Sequence, residues 1–162
     1  MKKILFLILL VPIVTCKKSP ALPDCGQLKI ETDGKSIEMG HGQAIYYKSQ
    51  NSYVIEVYDK NPGKSGFGCA EFVKLYTEGG SNPEDLLQYR FATKGDEISM
   101  VANGSNHLMV TFGKLVSKSE SKGDFLSACI DDISEDSLKS VHSEWKSRVL
   151  AGGLTAEICD IK

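Results

Sequence analysis

Residues 44–58, AIYYKSQNSYVIEVY, decide the fold class. Two runs rich in β-branched and aromatic residues flank Ser49-Gln50-Asn51, a cluster that favours a turn, so Ala44–Lys48 and Tyr53–Tyr58 are predicted to form a β-hairpin. Successive side chains of a strand point to opposite faces, which puts Tyr53, Ile55 and Val57 together on one apolar face. Glu56 falls on the other face, and the expectation is an antiparallel strand with one side on the core and one toward water.

The same period of two continues in both directions. Upstream, Leu28 and Ile30 alternate with Lys29 and Glu31, and Ile37 and Met39 return after Asp33-Gly34. That dipeptide tolerates the positive φ angles a two-residue hairpin turn requires. Gly40-His41-Gly42 reads as a break. Downstream, strands are expected at Phe67–Tyr76 (holding Cys69), within Leu86–Thr93, at Lys114–Lys118, at Phe125–Ile130 and at Leu154–Ile161. A further hairpin is expected from Glu97–Ala102 and His107–Phe112 around Asn103-Gly104-Ser105-Asn106. One segment departs from this period. Leu138, Val141 and Trp145 stand at i, i+3, i+7, with Ser134 or Asp136 available as N-cap, and predict a short helix; a strand through Ser140–Val149 is the rival. About nine short strands joined by turn residues make an all-β domain, mainly an antiparallel β-sandwich or small barrel, with one short C-terminal helix. The strands are too short and too polar for a lipid-facing transmembrane barrel.

The N-terminus has a different character. Met1-Lys2-Lys3 is positive, Ile4–Val14 is an unbroken apolar run, and Lys17-Lys18-Ser19 returns abruptly to polarity. A helix over that run rises about 16 Å, short of the roughly 30 Å of a hydrocarbon core, and the pattern is that of an export signal. Ile13-Val14-Thr15-Cys16 resembles the lipobox of bacterial lipoproteins, in a relaxed form similar to that of spirochaetes, with Thr15 where Ala, Gly or Ser is usual. The resemblance covers residues 1 to about 20. It implies cleavage before Cys16 and a covalent lipid on the Cys16 sulfur and amino group. The organisation expected is then residues 1–15 as signal peptide, 16–24 as lipidated cysteine and proline-containing tether, and 25–162 as one β-rich domain.

Removal of Cys16 from the five cysteines leaves Cys25, Cys69, Cys129 and Cys159. An even count in an exported chain suggests two disulfides, and three pairings are open. The pairing expected is Cys25–Cys159 with Cys69–Cys129, the first tying the start of the domain to its end. A zinc site is not supported: no two cysteines have CxxC spacing and no histidine lies a few residues from one.

The 162 residues are 41% apolar and 25% charged, ordinary for a globular protein. Net charge is −2, and −4 once Lys2 and Lys3 are removed with the signal, which excludes a nucleic-acid binder driven by phosphate neutralisation. No Gly-x-Ser-x-Gly elbow, His-Glu-x-x-His pair, phosphate-binding glycine loop or EF-hand spacing occurs. No catalytic residue, metal ligand or cofactor is therefore expected beyond the lipid on Cys16. His41, His107 and His142 are isolated and read as a turn residue, an edge or core residue, and packing beside Trp145. The acidic run Asp131–Asp136 reads as a solvated loop leading into helix-terminal acids, with a Ca²⁺ site as the alternative. Tyr46, Tyr47, Tyr53 and Tyr58 crowd the hairpin. They are either cross-strand packing or, where they face outward, a recognition patch.

The function expected is that of a cell-envelope lipoprotein, held at the outer membrane by its lipid. Its non-catalytic β-domain would bind a host, matrix or envelope macromolecule, protein or glycan. The alternative is a small-ligand-binding or hydrolytic envelope protein with a polar pocket built by Asp59–Gly66, Glu78–Asp85 and Ser119–Gly123.

Overall fold

A computed structural model of the protein describes residues 21–59, 66–80, 88–100, 111–141 and 147–162. The expectations for Cys16, for the hairpin turn at 103–106, and for His107, His142 and Trp145 lie outside these residues.

The hairpin read from residues 44–58 is present as β3 (His41–Tyr47) and β4 (Ser52–Tyr58), joined by one 3₁₀ turn over Lys48–Gln50. Asn51 closes it at φ 45°, a left-handed conformation that asparagine tolerates. Upstream, β1 (Lys29–Thr32) and β2 (Lys35–Glu38) pair with Thr32 opposite Lys35. Asp33 and Gly34 both have positive φ in the turn between them, as the two-residue loop demands. Downstream come β5 (Gln88–Lys94), β6 (Glu97–Met100), β7 (Thr111–Ser117) and β8 (Phe125–Ile130). Helix α2 (Glu135–Val141) is the expected short helix, with Ser134 Oγ accepting from the Ser137 amide at 3.2 Å as N-cap. Of the rival strand's span, Ser140 and Val141 lie in this helix and Ser147–Val149 in β9 (Ser147–Leu150); β10 (Gly152–Ile161) follows.

Of the two all-β architectures expected, the barrel is the one formed. Seven strands close in the order β10-β3-β4-β5-β6-β7-β8, with β10 returning to pair antiparallel with β8. All barrel pairs are antiparallel except β10 with β3. Three short strands, β2-β1-β9, form a separate small sheet. Inward residues of the barrel, among them Ile55, Val57, Phe91, Leu126, Leu154 and Ile158, pack into one cluster that continues under the small sheet through Leu28, Ile30 and Val149. Full closure leaves the barrel no open strand edge.

Two corrections concern local structure. Phe67–Tyr76 is not a strand: residues Cys69–Glu78 form helix α1. His41 is not a turn residue but opens β3, in register with Tyr58 and with Thr155 of β10. It is half-buried, and its Nδ1 lies 3.4 Å from Thr155 Oγ1.

A third correction is the disulfide pairing. The bonds are Cys25–Cys129 and Cys69–Cys159. Cys129 on β8 stands opposite Gly153 of β10, and the chain at Gly26–Gln27 runs alongside that same glycine. The Gly153 amide donates to Gly26 O at 2.8 Å, which brings Cys25 to Cys129. A Cβ on Gly153 would meet Pro23 at 2.7 Å, so glycine is what lets the N-terminal segment lie so close. Cys159 lies on the outer side of β10, where the first residue of α1 docks. Two disulfides are the mark of a chain that matures outside the reducing cytoplasm.

Candidate functional site

Helix α1 builds the site. Cys69, Phe72, Val73 and Tyr76 recur at i, i+3, i+4, i+7, so they share one stripe of a helix and no face of a strand. Glu71 Oε2 accepts from the Gly68 amide at 3.0 Å and caps the first turn; Gly79, at φ 77°, ends the last with its amide on Leu75 O. The stripe lies on the outer side of β3, β4 and β10. Phe72 is fully buried there with Ile45, Tyr58, Phe67 and Cys159. The Phe67 ring meets the edge of Tyr58 at 5.8 Å between centroids.

This docking changes the environment of Glu56. The sequence places it toward water, and its position on the outer face is correct, yet it is only 1% exposed. The cost of burying a carboxylate is offset by three hydrogen bonds. Arg90, its register partner on β5, donates to Oε1 through Nε at 2.7 Å and through Nη2. Tyr58 OH donates to Oε2 at 3.2 Å. Gln43 stands opposite Glu56 on β3, and Glu157 stands opposite Gln43 on β10, so a polar row crosses four neighbouring strands. Burial, and then the nearby Glu56 carboxylate, push the Tyr58 phenol strongly upward, and it stays a neutral donor.

Between the second half of α1 and strand β5 a groove of about 440 Å³ opens over this pair. Phe72, Leu75 and Tyr76 form one wall, Gln88 and Arg90 the other, and Glu56 lies in the floor. Gly80 packs closely on the helix at one end: a Cβ there would approach Leu75 Cδ1 to 2.9 Å. The Arg90 guanidinium lies 5.3 Å from the Tyr76 ring centroid, a cation–π contact, and Lys162 Nζ lies 5.6 Å from the same ring. Burial, with a hydrogen bond to Tyr76 next in weight, raises the Tyr47 phenol to about 12. Gln88 Oε1 and Gln43 Oε1 are buried without a hydrogen-bond partner among the described residues.

No family model, curated protein or solved structure matches the chain.

The structure distributes the other sequence-derived candidates elsewhere. Tyr46, Tyr53 and Tyr58 are buried and Tyr47 is half-buried, so the four tyrosines do not form an outward recognition patch. Tyr46 and Tyr53 are register partners stacked at 4.7 Å inside the barrel, the cross-strand packing read as the alternative. Tyr58 and Tyr47 reach the α1 side instead, where they support the groove. In the acidic run, Asp132 Oδ1 accepts from the Ala151 amide at 2.8 Å and Glu135 pairs with Lys139 one helical turn on. Among the described residues no group of three His, Cys, Asp or Glu side chains is placed to hold a metal. The groove residues Glu56, Gln88, Arg90 and Tyr76 escape a motif search, because each is ordinary for a strand or helix surface. The 3.6-residue spacing from Cys69 to Tyr76 was the signal that could have found them.

Proposed function

We propose that the protein is an envelope lipoprotein, attached to the outer membrane through lipid on Cys16, whose barrel binds a ligand non-catalytically on its outer wall. The anchor rests on the lipobox resemblance, and the two disulfides fit the compartment it implies. The observation that carries the binding role is how the groove spends its charges. Glu56 and Arg90 neutralise each other, and Tyr58 holds the second carboxylate oxygen. Groups that would have to move protons or attack a substrate are engaged with one another. The hydrogen-bonding capacity that remains, on Gln88 and on the rest of the guanidinium, suits recognition. Lys17 and Lys18, beside anionic headgroups, would add about 1 kcal/mol each to attachment.

The anchor is tested by intact mass of the protein from its native membrane, with and without reduction before alkylation. The expected result is Cys16–Lys162 plus acyl lipid, with thiols alkylated only after reduction. An unlipidated mass, or cysteines alkylated without reduction, would overturn it.

A further inference from the structure

We propose that the groove between α1 and β5 is a saccharide site, taking a neutral, hydroxyl-rich ligand of one or two sugar rings. This rests on the binding role above and names the ligand class for it. Gln88 is half-buried and lines the groove, and among the described residues its Oε1 has no donor. A buried unmet acceptor costs free energy, and turning that amide toward the groove forfeits no hydrogen bond at Oε1. Two residues along the same face of β5, Arg90 is about one-third exposed and has N–H groups beyond those used on Glu56. With that amide turned, the groove offers an acceptor and a donor side by side. A hydroxyl is both donor and acceptor, and a vicinal diol presents both to such a pair at once.

Charge disfavours ionic ligands. Glu56 lies beneath Arg90, and at the Tyr47–Tyr76 border Lys162 is accompanied by the Asp160 carboxylate, so the described charges around the groove cancel. A carboxylate approaching the guanidinium meets the Glu56 charge, and a cation seeking Glu56 meets Arg90 first. A neutral ligand loses nothing to either. The opposite wall supplies half-buried Leu75, backed by the buried Phe72 ring, as apolar surface suited to the C–H face of a pyranose. The Tyr76 ring is already engaged by two cations and borders the site without serving as a stacking platform. The volume, about 440 Å³, is within the range of small-ligand pockets.

The test uses the full lipoprotein in detergent, titrated with three probe sets: neutral gluco-, manno- and N-acetylglucosamine mono- and disaccharides, the matching uronic acids, and capped dipeptides. Binding is read by ligand-observed NMR for the wild type and for Gln88→Leu. The variant removes the unmet acceptor while keeping the side chain's bulk, so its melting temperature is expected to be unchanged or raised. The expected result is binding of at least one neutral saccharide in preference to its uronic acid, weakened tenfold or more by Gln88→Leu. Preference for uronic acids or dipeptides, lost in the variant, would overturn the saccharide assignment and leave the groove as a binding site. Saccharide binding untouched by Gln88→Leu would place the site elsewhere and overturn the proposal. No binding by any probe set would overturn both the saccharide assignment and the binding role of the groove, without touching the anchor.

Discussion

The two faces of β3 and β4 make an instructive pair. On the inner face Ala44, Tyr46, Tyr53, Ile55 and Val57 are buried among themselves and their barrel neighbours. On the outer face Gln43, Ile45, Glu56 and Tyr58 are just as inaccessible, but only because α1 lies over them. The inner face is encoded in the strands that form it. The outer face is encoded in a segment many residues away. The first is uniformly apolar and built for packing. The second mixes aromatic rings with a paired charge and, among the described residues, one unmet amide oxygen, that of Gln43, which is where recognition has room to arise.

The largest expected effect separates the two disulfides. They enclose 104 and 90 residues, so loss of either should destabilise the protein by about 4–5 kcal/mol in the chain-entropy model. Their local consequences should differ. Cys69→Ser with Cys159→Ser frees the start of α1 and should abolish ligand binding under conditions where the barrel is still folded. Cys25→Ser with Cys129→Ser should leave the groove intact. Denaturant unfolding combined with the saccharide titration distinguishes them, and binding retained without the Cys69–Cys159 bond would show that α1 needs no covalent tie. Next come Phe91→Ala inside the barrel and Phe72→Ala under the helix, each at about 3–5 kcal/mol for a fully buried ring. Similar midpoint shifts would establish the outer layer as core; a Phe72→Ala cost below 1 kcal/mol would reduce α1 to a loose cover.

A pH titration probes the inner face further. Burial holds the Tyr53 phenol up at about 12, while the unfolded chain's tyrosines begin to ionise near pH 10. Above pH 10 the unfolded state loses protons first. Stability contributed by Tyr53 is therefore complete below pH 10 and should fall by on the order of 2 kcal/mol as pH rises to 12. Tyr53→Phe should flatten that part of the profile. For the outer face, a double-mutant cycle with Glu56→Gln and Arg90→Gln should give a coupling of about 1–2 kcal/mol, below that of a fully buried pair because Arg90 is partly in water. The smallest effect lies away from both faces: Ser134→Ala should cost about 1 kcal/mol as loss of the α2 N-cap.

These contrasts explain what could be read from the sequence. The hairpins at Asp33-Gly34 and around Ser49–Asn51 were legible because turn chemistry and period-two alternation are local. So was the inner set Tyr53, Ile55 and Val57. Helix α1 was misread as a strand because its apolar residues also satisfy a loose count of strand-formers, and only strict spacing separates the two. Glu56 was assigned to the right face and the wrong environment: alternation tells which way a side chain points, not what later packs on it. The disulfide pairing depends on β10 lying between β8 and β3, a long-range fact that cysteine spacing does not contain.

That position of β10 also sets the order in which the molecule can assemble. The strand that completes the ring comes after all the others in the ring, and it bonds on one side to β3, more than a hundred residues earlier. Partners so distant in sequence make folding slow. A nascent chain lacking residues 152–161 has neither closure nor Cys159, so it can complete neither the barrel nor the second crosslink. Until those residues join, the ring stays open and both of its would-be neighbours, β3 and β8, keep an unpaired edge.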